Sequence, residues 1–156
     1  MVSGQPSTVA EACLWQGEIN LDRLTLVNSE VLVPQVSEFP TVSPLEVGRQ
    51  TSATYFSMNH DSAPRLSLLQ NIGRYDHQSG LVQTSQLPES HYGMEPLFAP
   101  DRRGVTDGWI LTVVYDSDRH QSEVWIFAAK HLEHPICRLQ LPSVIPIGFH
   151  GQWVAA

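Results

Sequence analysis

The sequence predicts an all-β fold, and three features of the chain lead to that prediction. Short runs of apolar, β-branched and aromatic residues recur along most of its 156 residues. Turn-forming Gly, Pro, Asn and Asp separate these runs at short intervals. No stretch has the apolar spacing of a long amphipathic helix, so an alternating β–α architecture is not expected. A chain of this length buries one modest core, which predicts a single domain.

The first strands are predicted in the N-terminal third. Residues 1–10 are rich in Ser, Gly and Pro and are expected to be disordered, which leaves 11–156 for the fold. Runs at 13–19 and 23–27 flank a plausible hairpin turn, and a further apolar run follows at 31–33. Between Pro34 and Pro44 prolines interrupt the chain, and regular strand pairing is expected to stop there.

The middle of the chain shows the same alternation of strands and turns. Residues 53–58 and 65–70 are predicted to form the next pair of strands, joined by a turn-rich connection. A further turn is expected at 75–80 and a short strand at 81–84. The meander therefore continues without an intervening helix.

The C-terminal third contains the most apolar strand. Residues 109–115 are nearly all apolar, which is typical of a strand covered on both faces. A turn at 116–121 leads into a strand at 123–127. Residues 128–133 can form one helical turn at most, and the alternation at 137–141 predicts a half-buried strand.

Composition excludes several classes of function. A net charge of −7 argues against nucleic acid or an anionic membrane surface as the main partner. Charged residues make up only 16% of the chain, which fits a piece of a larger, well-buried protein. The cysteines Cys13 and Cys137 form no disulfide framework, so a cytoplasmic location is expected. The first residues show no secretory signal, and membrane contact is expected to be peripheral at most.

One histidine near the C-terminus stands out because of its neighbours. His150 lies between Gly148 and Gly151, directly after the Pro-rich apolar run 141–147. Glycines on both sides let the backbone approach another group closely, so the imidazole can be aimed at a metal, a ligand or a buried acid. Taken alone, such a histidine is more often a hydrogen-bonded packing residue.

This segment is the last of four that occur in a particular order, namely 37–40, 94–100, 107–116 and 141–151. Their order and spacing resemble the C-terminal part of the carotenoid cleavage oxygenases, the family that includes the retinal pigment epithelium isomerase. The resemblance extends from about residue 14 to residue 153. Strand pattern alone does not separate a propeller from a β-sandwich, and an unrelated sandwich would make all four segments a coincidence.

The resemblance implies both a fold and a chemistry. Members of the family are seven-bladed β-propellers with ferrous iron (Fe2+) on the axis, held by four histidines with three glutamates behind them. They cleave a double bond of a carotenoid or apocarotenoid with O2 to give carbonyl products. This chain is then expected to supply the C-terminal two to three blades, with an exposed edge and an apolar flank.

Carried over by position, His150 falls on the last of the four iron ligands and is the predicted metal and catalytic residue. Glu38 and Glu95 fall on two of the glutamates that support the ligand histidines. The other three histidines lie, in the family, upstream of the segment that this chain resembles. Activity is therefore expected only on complementation by the missing N-terminal portion. Phe149 and Trp153 are the aromatic residues expected nearest the substrate.

The chemistry explains why these residue types are paired. A ferrous centre that admits dioxygen needs neutral nitrogen donors and an open coordination position. The second N–H of each imidazole needs an acceptor, and a carboxylate there fixes the tautomer and raises the basicity of the ligand. Without the motif order, Glu38 and Glu95 would be read as solvated acids at strand starts.

The other histidines are expected to have no role in the site. His60 precedes an aspartate, as a family ligand does, but it follows Glu38 in the chain and is expected in a turn. His131 and His134 have the spacing of a zinc pair on a helical turn, which Pro135 would end. Three histidines in polar connections are expected to be exposed, namely His77, His91 and His120.

Two functions therefore remain open. The first is the C-terminal part of an iron-dependent carotenoid or apocarotenoid dioxygenase. The second is a non-catalytic, truncated β module that binds a protein or an apolar ligand, or associates with itself, through its exposed edge. Iron content of the purified chain separates the two.

Overall fold

A computed structural model describes residues 12–60, 67–101, 104, 106–148 and 150–154, so the predicted disorder of 1–10 lies outside the described residues. These ranges contain eleven β-strands and no helix long and apolar enough to cross a membrane. In chain order the strands are β1 (Leu14–Asn20), β2 (Thr25–Val33), β3 (Ser37–Thr41), β4 (Ala53–Met58), β5 (Asn71–Asp76), β6 (Val82–Thr84), β7 (His91–Gly93), β8 (Leu97–Pro100), β9 (Gly108–Asp116), β10 (Gln121–Ala128) and β11 (Cys137–Gln140).

The strands form three antiparallel sheets that follow one another along the chain. The first sheet is the hairpin β1–β2, and the second is the four-stranded meander β3–β4–β5–β6. The third sheet contains the meander β8–β9–β10–β11, with β7 paired to the same edge of β9 as β8. Neighbouring strands in sequence are therefore mostly neighbours in space, as expected for a meander.

The second sheet lies between the other two, because its strand β4 is buried on both faces. Alternate side chains of a strand point to opposite faces. Tyr55 packs into a core shared with the third sheet, and its hydroxyl donates to the Ala129 carbonyl at 3.0 Å. Phe56 packs instead against the first sheet, in a core with Leu14 and Val33. One strand thus joins two hydrophobic cores.

The outer face of this stack on the first sheet is apolar and open. Trp15, Ile19, Leu26 and Val31 lie on one face of the β1–β2 hairpin and are between 51% and 62% exposed. We call these four residues the hairpin face. An exposed apolar patch of this kind more often marks a site of contact with another molecule than a surface that stays in water.

The predicted strands at 13–19, 53–58, 81–84, 109–115, 123–127 and 137–141 are confirmed to within a few residues. The prediction that pairing stops between Pro34 and Pro44 is wrong, because β3 lies there and pairs with β4. The register shifts between Glu38 and Thr41, so Pro40 falls in an irregularity where no ladder N–H is needed. Residues 25–27 and 31–33 belong to the single strand β2, and residues 23 and 24 of the first predicted run lie in the preceding turn.

The strand predicted at 65–70 is also wrong over its described residues 67–70, because the partner of β4 begins at Asn71 and contains residues assigned to a turn; residues 65 and 66 lie outside the described residues. Gly73 interrupts the strand pattern in the sequence, yet it is required here. A Cβ atom at this position would lie 2.5 Å from the Phe56 ring, so the aromatic side chain fills the space above the glycine. The short strands β7 and β8 were not predicted at all.

Burial differs from prediction in three places. One face of β9 is buried and the other is half-buried, where cover on both faces was expected. All four residues of β11 are exposed, so that strand is not half-buried. His77 and His91 are half-buried rather than exposed: His77 lies 2.9 Å from the Thr54 hydroxyl, and His91 lies 3.7 Å from the Asp116 carboxylate. His120 is exposed as predicted.

Candidate functional site

The candidate site is built on the contact between Glu95 and His150, which lie 55 residues apart in the sequence. Glu95 Oε1 lies 3.2 Å from Nδ1 of the His150 ring. The second oxygen, Oε2, accepts the backbone N–H of Gly151 at 2.5 Å. One carboxylate therefore holds both the ring and the backbone that carries it. Because a carboxylate only accepts hydrogen bonds, Nδ1 carries a proton, and in the neutral imidazole Nε2 then keeps a free lone pair.

Phe39 contacts the same imidazole from the second sheet. The two ring centroids are 5.7 Å apart and the ring planes meet at 89°, an edge-to-face arrangement. The φ angle of Phe39 is 56°, a left-handed conformation that favours glycine and is unfavourable for an aromatic residue. The irregularity in β3 therefore directs this ring toward His150. The histidine is held by an acid from the third sheet and an aromatic residue from the second.

The anchored ring remains open on its other side. The His150 side chain is 78% exposed, whereas that of Glu95 is 18% exposed. Within the described part of the chain, Nε2 makes no hydrogen bond or ion pair. The arrangement fixes the orientation and tautomer of a nitrogen donor while leaving that donor accessible. This is how histidine ligands of metals are commonly held by an acid behind them.

Glu38 lies beside Phe39 in β3, and its carboxylate is exposed. Its carboxylate oxygens make no hydrogen bond or ion pair with the described residues, although its backbone pairs with β4. Its position matches that of Glu95, since each acid lies at or just before the first strand of a four-stranded meander. The structure therefore places both predicted acids at comparable points of adjacent sheets, and only Glu95 has a histidine partner among the described residues.

The two glycines around His150 have different roles. A Cβ atom on Gly151 would lie 3.1 Å from Leu97 Cδ1, so a larger residue at this close approach would make the Leu97 side chain move by a few tenths of an ångström. A Cβ atom on Gly148 would meet nothing nearer than the Pro146 carbonyl oxygen at 4.0 Å. A close approach to a neighbouring side chain is therefore found at Gly151 and not at Gly148.

Two apolar clefts lie beside this site, and Met94 and Gly148 line both. One cleft, of about 320 Å³, has Glu95 and His150 at its border; its apolar lining is Met94, Leu97, Leu111, Val113, Val124, Ile145 and Pro146. The other, of about 340 Å³, is lined by Glu38, Phe39, Ser67, Leu68, Leu69, Tyr92, Gly93, Met94, Ile147 and Gly148. Ser122 holds the segment at Ile145 that lines the first cleft, because its hydroxyl accepts the Ile145 N–H at 3.0 Å.

Of the two aromatic residues predicted nearest the substrate, only Trp153 belongs to the described residues, and it is not brought to these clefts. Trp153 is 45% exposed and lines neither cleft. Phe149 lies outside the described residues. Phe39 and Met94 are the site neighbours that sequence reasoning missed. Both are adjacent to predicted acids, which is the one signal that could have indicated them.

The described residues contain no group of three or more His, Cys, Asp or Glu side chains that could hold a metal ion. His150 is therefore suited to be one ligand of a metal centre, and the described residues do not form a complete ligand set. The zinc pair considered at His131 and His134 belongs to no such group in these ranges.

The sequence profile of the retinal pigment epithelial membrane protein family matches residues 3–155. The chain therefore belongs to this family, which confirms the resemblance. The apocarotenoid-15,15'-oxygenase of Synechocystis sp. is 34% identical over 143 residues, which cover 90% of this chain and 29% of that protein. The 9-cis-epoxycarotenoid dioxygenase NCED6 of Arabidopsis thaliana is 30% identical over 156 residues, 98% of this chain and 25% of that protein.

The fold agrees with the sequence comparison. The crystal structure of cobalt-substituted Synechocystis ACO superimposes with a TM-score of 0.83 at 31% identity, over 91% of this chain and 30% of that one. Such neighbours are β-propellers, so the prediction of an all-β fragment of a propeller is confirmed. The chain spans less than a third of the length of these relatives.

Proposed function

We propose that this chain forms the C-terminal part of an iron(II)-dependent dioxygenase that cleaves a double bond of a carotenoid or apocarotenoid. The observation that carries the proposal is the contact of Glu95 with both His150 and Gly151. The relatives named as an apocarotenoid oxygenase and an epoxycarotenoid dioxygenase support the choice of substrate class. Ferrous iron, when bound, supplies the activation of dioxygen that such a cleavage needs.

His150 would supply one ligand through Nε2. Glu95 would keep the proton on Nδ1 and keep the ring in one orientation, so that little reorganisation is needed when a cation binds. Phe39 would limit rotation of the ring from the other side. Each of these roles belongs to residues that the described structure brings together.

Glu38 would support a second histidine that another part of the protein supplies. Its carboxylate is exposed and without a described partner, which fits an acceptor whose donor is elsewhere. A carboxylate that accepts an imidazole N–H raises the basicity of that ligand in the same way as Glu95 does for His150. The remaining ligands would have the same external origin, because one imidazole cannot retain ferrous iron by itself.

The missing ligands require a docking surface for the segment that carries them. The hairpin face, made of Trp15, Ile19, Leu26 and Val31, is one such surface. The half-buried face of β9, with Leu111 and Val113, is the other. These surfaces lie at the two ends of the stack of sheets, where further blades of a propeller would pack. We therefore expect the chain to act only together with the remaining part of the fold.

The test is co-expression with the N-terminal portion of the Synechocystis apocarotenoid oxygenase, the part upstream of its match to this chain. Cleavage of an apocarotenoid to aldehyde products is followed by chromatography. We expect activity from the pair, none from either part alone, and none with His150→Ala. His120→Ala removes an exposed histidine remote from Glu95 and is the matched control. Activity that survives His150→Ala would reject the assignment.

A second candidate function rests on the hairpin face alone. Four exposed apolar side chains on one surface would also serve a non-catalytic module that binds another protein or a second copy of itself. A purified chain that binds no iron with any N-terminal portion, and that forms defined dimers, would favour this second function.

A further inference from the structure

Two buried hydroxyl groups from different sheets hold the carbonyl that precedes Glu95. The Ser57 hydroxyl in β4 donates to the Met94 carbonyl oxygen at 2.9 Å, and the Thr112 hydroxyl in β9 donates to the same oxygen at 2.9 Å. Ser57 is 0% exposed and Thr112 is 2% exposed. A carbonyl oxygen has two lone pairs, and here a side chain occupies each.

The backbone around Glu95 is fixed on both sides of this carbonyl. The Met94 N–H donates to the Val113 carbonyl at 2.9 Å, so the residue before Glu95 is tied to β9 through both of its peptide groups. Pro96 follows, and its side chain is fully buried. The proline ring fixes φ there and removes a rotational degree of freedom. The Cα–Cβ direction of Glu95 is therefore set by its two neighbours.

We infer that Ser57 and Thr112 are positioning residues for the candidate metal ligand, acting through the Met94 carbonyl and Glu95 on His150. Neither residue touches the imidazole. Their role in orienting Glu95 follows from the described contacts alone. The importance of that orientation for metal binding rests on the proposed function. Because one hydroxyl comes from the second sheet and the other from the third, the packing of the two sheets also sets the direction of the carboxylate.

The Thr112 hydroxyl has two carbonyl oxygens within reach, those of Met94 and Val113. The distances show which of the two it prefers. Its oxygen lies 3.3 Å from the Val113 carbonyl, a bond to its own neighbour that would need nothing from the rest of the site. A hydroxyl donates one proton, and the shorter contact is the one to Met94. The bond that supports Glu95 is thus the better of the two available.

The test measures the tautomer of His150 in the metal-free 156-residue chain by the 15N chemical shifts of Nδ1 and Nε2. In the unaltered chain we expect Nδ1 to carry the proton. Thr112→Val keeps the shape of the side chain and removes the hydroxyl, while Thr112→Ser keeps the hydroxyl. The first should move both shifts toward those of an imidazole that exchanges between tautomers, and the second should restore them. Ser57→Ala should act as Thr112→Val does.

Hydrogen exchange at the Gly151 amide gives a second readout. Exchange should become about tenfold faster in the Ser57→Ala/Thr112→Val chain, as expected when a hydrogen bond of ordinary net strength is lost. Ser85→Ala is the control, since Ser85 is buried just after β6 and its hydroxyl accepts the Ile72 N–H rather than contacting Met94. This control should leave both readouts unchanged.

Unchanged shifts and unchanged exchange in a folded double variant would overturn the inference. Should the double variant not fold, the comparison of Thr112→Val with Thr112→Ser decides: equal shifts in the two variants would show that the hydroxyl has no positioning role. Neither measurement uses iron. A tautomer that responds as expected, in a protein that never binds iron, would reject the proposed function and leave the positioning of Glu95 intact.

Discussion

Glu95 reaches His150 with one carboxylate oxygen and the Gly151 amide with the other, so a single acid from one end of β8 orders the C-terminal segment. The contact joins residues that lie 55 positions apart in the sequence and brings their side chains to 3.2 Å. It fixes a nitrogen donor without burying it, since the His150 side chain is 78% exposed.

Removing the acid should release the ring. With Glu95→Ala, His150 should lose its single tautomer, because Nδ1 no longer has an acceptor. The 15N shifts of the imidazole in the metal-free chain report this directly. Glu133→Ala removes an exposed acid at a distance from the site and should leave the shifts unchanged. An unaltered tautomer in a folded Glu95→Ala chain would show that the contact is absent in solution.

The two glycines should respond differently to alanine. Gly151→Ala places a Cβ atom 3.1 Å from Leu97 Cδ1, so the side chain or the backbone must shift. We expect a loss of about 1 kcal/mol in the free energy of unfolding. Gly148→Ala meets no atom closer than 4.0 Å and should change that free energy by less than about 0.5 kcal/mol. Urea unfolding of both variants provides the comparison, and equal losses would contradict it.

The hydrogen bond from the Tyr55 hydroxyl to the Ala129 carbonyl should contribute measurably to the free energy of unfolding. Tyr55→Phe removes the hydroxyl that donates to the buried Ala129 carbonyl at 3.0 Å. The expected loss in the free energy of unfolding is about 1–2 kcal/mol. Tyr115→Phe is the control, because its hydroxyl contacts the exposed His120 ring, and it should cost less than about 0.5 kcal/mol. A neutral Tyr55→Phe would mean that the hydroxyl finds water instead.

Burial also raises the pKa of Tyr55 above its ordinary value of 10.0, mainly by removing the phenolate from water. The folded state then holds this proton more tightly than the unfolded chain. The contribution to stability is complete below pH 10 and is lost as the pH rises beyond it. Tyr55→Phe should therefore flatten the alkaline fall in unfolding free energy, and an identical slope in both proteins would contradict the assignment.

Acid should weaken the turn after β5. The Ser79 backbone N–H, the Arg74 guanidinium and the Ser79 hydroxyl lower the pKa of Asp76 from 3.8 to about 2. A lowered folded-state pKa stabilises the protein above the unfolded value, and that contribution is lost as the pH falls from about 4 toward 2. Asp76→Asn should remove this part of the pH dependence. Unfolding free energies at several pH values in that range test it.

The hairpin face should cause association of the isolated chain. Trp15→Ser with Val31→Thr lowers its apolar area and should reduce concentration-dependent association in sedimentation velocity. Gln16→Ala with Glu30→Gln changes the neighbouring polar residues of the same two strands and should not. Equal association in the two double variants would show that another surface is responsible.

The sequence predicts the strands that local pattern determines and fails where tertiary contacts override it. β4 and β9 are apolar runs that resemble strands in any context. β3 contains Pro40 and β5 contains Gly73, which both argue against a strand. A shift of register accommodates Pro40, and the Phe56 ring fills the space above Gly73. Both depend on tertiary contacts, which the local sequence pattern does not encode.

The site follows the same division. His150, Glu38 and Glu95 could be chosen from the order of short motifs, and the structure brings His150 to one of the two acids. The contact of Phe39 with the imidazole depends on a positive φ in an irregular strand. The hydroxyls of Ser57 and Thr112 reach the Met94 carbonyl from two different sheets. Pairings of this kind depend on how sheets stack, which no local pattern encodes.

The iron content of the complemented protein measures directly whether His150 is a metal ligand. The pair formed with the N-terminal portion of the Synechocystis oxygenase is loaded with Fe2+ under anaerobic conditions, desalted and analysed for iron. We expect one iron per pair, almost none with His150→Ala, and an unchanged content with His120→Ala. Full iron retention by the His150→Ala pair would contradict it.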